Sequence, residues 1–232
     1  MEQKNYVQQG AIKYLALIMC QRLIGICLFW GAAGTFRDIR STTNLALYLI
    51  ISIIVSIMML SSHQETLHER GKKQENTKEW DKFLLPIIVI LSYYGIYLIA
   101  GLGVRFRWRV LPIEWFYIGI VIYLISSIFT VWPVLVNKYF ESTARNQANR
   151  GQTVIQTGPY RIMRHPGYAG IILWAIASAF MFGTLAVGIT SFIIIITIWV
   201  RTYLEDNMLK EELDGYLEYS KKVRYRLIPF VW

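Results

Sequence analysis

The sequence is poor in the residues that build disulfide frameworks and metal centres: 232 residues include two cysteines and three histidines. Cys20 and Cys27 lie seven apart in one apolar run. On a helix they share a face but stand roughly 10 Å apart along the axis, too far to bridge each other. They read as lipid-facing or packing residues. His63 and His68 sit among Glu and Lys, five apart, which does not align them on one helical face, and they read as solvated. No metal site is expected. Charge is the scarcest feature. Asn44–Leu60, Phe83–Gly103 and Trp115–Val136 carry none, and Tyr14–Gly34 carries only Arg22. Gly167–Val200 has 34 residues without a charge.

What fills those runs is apolar. Hydrophobic residues make up 55% and the mean hydropathy is +0.39. A helix needs about 20 residues to cross the hydrocarbon core, so the first four runs suit single spans. The fifth would be about 51 Å long as one helix, too long for one crossing. Phe182-Gly183-Thr184 is its natural break, giving a tight hairpin. The expectation is an all-α, polytopic membrane bundle of about six transmembrane helices, ending in a helical hairpin with a cytoplasmic cofactor pocket. The first span exceeds the 7–15 residues of a signal-peptide core, and no convincing small-residue cleavage site follows it. The final Ile-Pro-Phe-Val-Trp carries no lipidation motif.

The net charge of +9 is unevenly placed. With six spans, one side collects 18 Lys/Arg: the N-terminus, Glu65–Lys82, Lys138–Arg164 and the C-terminal tail. The other holds Arg37, Arg40, Arg105, Arg107 and Arg109. The positive-inside rule makes the first side, with both termini, cytoplasmic. Anionic lipid headgroups account for the basic surplus. Nucleic acid is not an expected partner, because no basic and aromatic platform exists outside the membrane-flanking loops.

The chain divides into residues 1–136, a scaffold of four spans, and residues 137–232, a half rich in polar and special residues. In the scaffold, Arg22 beside Gln21 is the exception. A charge inside a span is a functional hint, although packing on another helix's polar group or snorkelling would explain it equally well. Ser61–Lys82 is a mixed-charge linker around Gly71-Lys72-Lys73. Glu65/Glu69 and Glu75/Glu79 have helical spacing, and nothing there looks catalytic. Arg105-Phe-Arg-Trp-Arg109 reads as an interfacial anchor.

Within the second half, Thr153–Ile155 is short and extended. Pro159 and Pro166 push Gly158 and His165 out of the helical region, so the segment between them is constrained at both ends. It presents Tyr160, Arg161, Arg164 and His165 just before a transmembrane helix. Arg201, Glu205 and Asp206 close the last span, and Arg201 and Glu205 share a face at i, i+4. The hairpin returns both clusters to one membrane side, where they would form a pocket carrying both signs of charge. Ordinary membrane anchors and a surface ion pair would give the same pattern, so these residues alone do not name a reaction.

Gly158-Pro159-Tyr160, then Arg164-His165-Pro166 and Tyr168, then Glu205-Asp206, with Gly215, Tyr216, Tyr219 and Pro229 following, resembles the isoprenylcysteine carboxyl methyltransferase and phospholipid methyltransferase superfamily. The resemblance covers about Asn137–Trp232. It implies an S-adenosyl-L-methionine-dependent membrane methyltransferase acting on a lipophilic acceptor, either the carboxylate of a prenylated cysteine or a lipid amine. Carried over, Val154, Gln156, Thr157, Gly158, Pro159, Tyr160, His165, Pro166, Tyr168, Glu205 and Asp206 would hold the cofactor. Arg164, Arg201 and Glu205 would serve catalysis, the arginines gripping carboxylates bidentately. Asp206 departs from the family's usual Glu, keeping the charge on a shorter arm. Membrane lipids are the other expected partners. The alternative is a sterol-type membrane reductase using NADPH. A transporter ranks third, because the spans are largely apolar at mid-bilayer.

Overall fold

Each apolar run folds into helix in the computed structural model, which describes residues 2–72, 74, 76–229 and 231–232. Helix α1 spans Glu2–Ala33 and α2 spans Ile39–Ser62, the latter capped by Asp38, whose carboxylate accepts from the Ser41 amide at 3.1 Å. The short α3, Gln64–Gly71, follows. Helix α4, Glu79–Ile90, passes through a π-turn at Leu91–Gly95 into α5, Ile96–Arg105. Then come α6, Ile113–Val136; α7, Pro166–Phe182; α8, Leu185–Glu212; and α9, Tyr216–Lys222. No strand occurs among the described residues.

Five helical stretches are long and apolar enough to cross a membrane: Asn5–Ala33, Ile39–Ser62, Glu79–Arg105, Ile113–Val136 and Leu185–Glu212. Helix α7 is also apolar but has 17 residues, at the lower limit for a crossing. Unlike a soluble protein, the bundle is apolar on its outer surface as well as in its interior. Ile50, Ile53, Ile54 and Ile57 of α2 and Phe192 and Ile196 of α8 are exposed, as lipid-facing residues should be. Phe29, Ile96, Tyr97, Met181, Ile194 and Ile198 form the interior. Helices α6 and α7 pack tightly. A Cβ on Gly170 would stand 2.8 Å from the Thr130 amide nitrogen, so only glycine permits this approach.

The expected hairpin is present. Helix α7 stops at Phe182, Gly183 adopts the left-handed conformation (φ +69°), and the Thr184 hydroxyl caps α8 through the Val187 amide at 3.2 Å. Gly183 also anchors the far rim of the bundle, its carbonyl accepting from Val110 and Leu111 at 2.8 and 3.1 Å. Arg109 is drawn inward here, its two Nη atoms 2.9 and 2.8 Å from the Asp38 carboxylate. It is therefore a clamp, and the interfacial role falls to Phe106 and Trp108, stacked and exposed beside it. Burial opposes ionisation of Asp38, but hydrogen bonds from Arg109 and Ser41 prevail and lower its pKa to about 2.

The expectation that both histidines are solvated is corrected for His68: α3 lies back on the start of α1 and buries it against Tyr6 and Gly10, while His63 is half-buried with its Nε2 3.0 Å from the Leu135 carbonyl. Helix α8 ends at Glu212 and the chain turns at Gly215 (φ +79°) into α9. Of the readings open for Arg22, packing on another helix's polar groups holds: it donates to Ser52 of α2 and lies 4.9 Å from the Tyr48 ring. Cys20 and Cys27 are both exposed. Lys73 and Glu75 lie outside the described residues.

Candidate functional site

At the rim where both ends of the chain gather, the loop after α6, the start of α7, the end of α8 and α9 surround a cleft. It encloses a cavity of about 110 Å³ that opens into some 820 Å³ of space shared with solvent. The loop supplies Asn137, Tyr139, Glu141, Arg145 and Val154; the start of α7 supplies His165, Pro166 and Tyr168; α8 supplies Glu205; and α9 supplies Tyr216 and Tyr219.

Its wall is built from the sequence's local signals. After the extended Thr157, Gly158 (φ +57°) and Pro159 open a single 3-10 turn through Arg161. That turn buries Tyr160, whose hydroxyl accepts from Asn137 Nδ2 at 3.1 Å, while Tyr219 donates to the Tyr160 carbonyl at 2.7 Å. Burial raises the pKa of Tyr160, Tyr216 and Tyr219, so all three stay neutral donors at ordinary pH. His165 stacks parallel on Tyr168, with ring centroids 5.7 Å apart.

The adjacent acids at the end of α8 have different fates. Asp206 is fully buried and saturated. Arg164 grips it bidentately at 2.6 and 3.0 Å, Arg226 and Lys210 approach at 2.8 and 2.7 Å, and the Tyr216 hydroxyl donates at 3.0 Å. His165 Nε2 lies 3.4 Å away. Glu205 faces the cleft and, among the described residues, takes one hydrogen bond, from Tyr168. Arg164 also donates to the carbonyls of Val223 and Arg224, at 2.6 and 2.8 Å, laying the C-terminal segment across the cleft's base.

Of the residues named from sequence, Val154, Tyr160, Arg164, His165, Pro166, Tyr168 and Glu205 meet at the cleft. Gln156, Thr157, Gly158, Pro159, Arg201 and Asp206 are not part of this lining: Gln156 and Thr157 are exposed, while Pro159, Arg201 and Asp206 are buried. Both arginines do hold carboxylates bidentately, but the carboxylates are the protein's own: Asp206 for Arg164 and Asp81 for Arg201, the latter at 2.6 and 3.1 Å. The sequence reading missed Asp81, Glu141, Arg145, Gln147 and Gln152. A signal for Asp81 was present, since an acid in the first turn before an apolar run requires a partner once that turn is buried.

A helical membrane bundle with a polar, two-signed cleft at one rim defines the class. The comparisons narrow it. Residues 117–211 match the isoprenylcysteine carboxyl methyltransferase (ICMT) family, so this segment is similar to that family. Two curated rice proteins, from Oryza sativa subsp. indica and subsp. japonica, are each named "Probable protein-S-isoprenylcysteine O-methyltransferase". Each is 29% identical over 125 residues, which is 50% of this chain and 63% of the relative. The chain thus spans less than two thirds of those relatives' length. The family match begins at Tyr117, inside α6, so it extends further toward the N-terminus than the motifs alone suggested, and it ends at Glu211, before α9.

Proposed function

We propose that this protein is an S-adenosyl-L-methionine-dependent membrane methyltransferase whose acceptor is lipophilic, the carboxylate of a prenylated cysteine being preferred and a lipid amine the second choice. The observation that carries this reading is Glu205: a carboxylate on the cleft wall with one hydrogen bond among the described residues, beside the stacked ring pair His165/Tyr168. The buried hydroxyl of Thr143, which also lines the cleft, has no hydrogen-bond partner among the described residues. Together they suit a ligand with ribose hydroxyls, an amino group and an adenine ring, because an acceptor and stackable faces stand ready within one hollow.

In this reading Glu205, His165, Tyr168, Tyr160 and Val154 hold the cofactor, with Gln156, Thr157, Gly158 and Pro159 shaping the turn beneath it and Asp206 supporting from behind. Bound S-adenosyl-L-methionine supplies an already electrophilic methyl group. The chain's work is then positioning and electrostatics. Arg164 fixes the turn and the C-terminal segment in one geometry, and the buried tyrosines keep water out. A carboxylate acceptor needs no base, whereas an amine must lose a proton, for which Glu205 is a carboxylate on the wall. Residues 137–232 form the cofactor half and residues 1–136 the scaffold. The cleft and both termini face the cytoplasm, with the acceptor entering from the bilayer.

Calorimetry of the detergent-solubilised chain with S-adenosylhomocysteine and, separately, NADPH tests the reading. Binding of the first and not the second is expected; the reverse would install the reductase alternative. Membranes incubated with methyl-labelled S-adenosyl-L-methionine should carry the label in a lipid or prenylated fraction.

A further inference from the structure

Arg201 and Glu205 stand at i, i+4 on α8, a spacing at which Arg and Glu ordinarily pair. Instead, no ion pair between them forms among the described residues, and the hydrogen bonds of Arg201 go elsewhere. Its Nε and Nη2 bind the Asp81 carboxylate at 2.6 and 3.1 Å, and Nη2 also donates to the Ser142 carbonyl at 2.6 Å. Asp81 lies in the first turn of α4, 120 positions earlier in the chain, and is 0% exposed. Its Oδ2 also accepts from the Ala144 amide at 2.7 Å, so one carboxylate ties the guanidinium and the loop over the cleft together. The guanidinium carbon sits 5.3 Å from the Tyr168 ring centroid, and the hydroxyl of that ring is the one hydrogen-bonded to Glu205.

We propose that Asp81 is a positioning residue that holds Arg201 off Glu205 and so keeps the Glu205 carboxylate available to ligand. The inference rests on the reading of the cleft as an S-adenosyl-L-methionine site. Without Asp81, Arg201 would be a buried cation lacking a counterion, which is strongly unfavourable. The nearest remedy is Glu205 one turn on. A pair formed there would displace Tyr168 and consume the acceptor that the ligand needs. The four scaffold spans thereby acquire a defined task, since their third span carries the acid that sets the charge state of the cleft wall.

The test is a double-mutant cycle on purified full-length protein, reading S-adenosylhomocysteine affinity by calorimetry. Asp81→Asn should weaken binding at least tenfold when residue 205 is Glu, and less than threefold in a Glu205→Gln background, because the route through Glu205 is then already gone. A merely architectural Asp81 would cost the same in both backgrounds, and that result would overturn the proposal. Asp81→Glu keeps the ion pair and should bind within threefold of wild type. If Asp81→Asn does not yield folded protein, a tenfold loss in Asp81→Glu overturns the proposal in its place. Wild-type protein that ignores S-adenosylhomocysteine would remove the functional reading itself. Wild-type binding with an indifferent Asp81→Asn would remove only the role given to Asp81.

Discussion

The two rims of this bundle use the same device to opposite ends. At the far rim one bidentate Arg–Asp pair, Arg109 with Asp38, ties the α5–α6 loop to the start of α2, while the neighbouring Val110 and Leu111 amides bind the hairpin turn at Gly183. At the other rim two such pairs, Arg164–Asp206 and Arg201–Asp81, hold a cleft open and leave Glu205 on its wall. Burial separates them. Asp206 and Asp81 are 0% exposed, while Asp38 keeps 15% of its side chain in contact with solvent. A buried carboxylate must be fully matched by cations and donors, which fixes everything around it. A partly exposed pair is screened and contributes less.

The sharpest way to break this contrast is at Asp206. Asp206→Ala leaves Arg164, Arg226 and Lys210 without their shared anion, and a loss of about 3–5 kcal/mol is expected. Thermal unfolding in detergent should show it. A loss as small as that of an exposed pair would erase the distinction between the rims. Next in size is Glu205→Gln. It should weaken S-adenosylhomocysteine binding by the equivalent of about 1–3 kcal/mol, as for a lost buried hydrogen bond, while the unfolding temperature stays near wild type. An equal fall in both would make Glu205 part of the frame. At the far rim, Gly183→Ala forces a Cβ into a left-handed turn and sets it 3.4 Å from Arg109 Cγ, so about 1–2 kcal/mol of stability should be lost with ligand affinity retained.

The smallest effect concerns pH. The folded-state pKa of Asp38, about 2, lies below its ordinary value of 3.8. The stabilisation it contributes is therefore complete above about pH 4 and disappears as pH falls through 2. Stability of wild type and Asp38→Asn, measured by unfolding across that window, should differ at neutral pH and converge at the acid end. A gap that persists below pH 2 would mean the pair acts through packing rather than charge.

The amino-acid sequence on its own determined the apolar spans, the hairpin break at Gly183 and the motif residues that line the cleft, because these depend on neighbours a few positions apart: a charge-free run, a glycine with φ above zero, a proline after Gly158. It could not show which anion each arginine would find. Arg201 reaches Asp81 across 120 positions, Arg164 and Asp206 admit Arg226 from the C-terminal segment, and His68 is hidden only because α3 folds back on α1. Those outcomes belong to the tertiary structure. A buried ion takes whichever partner the packing of distant helices brings within about 3 Å, and no local periodicity records that choice.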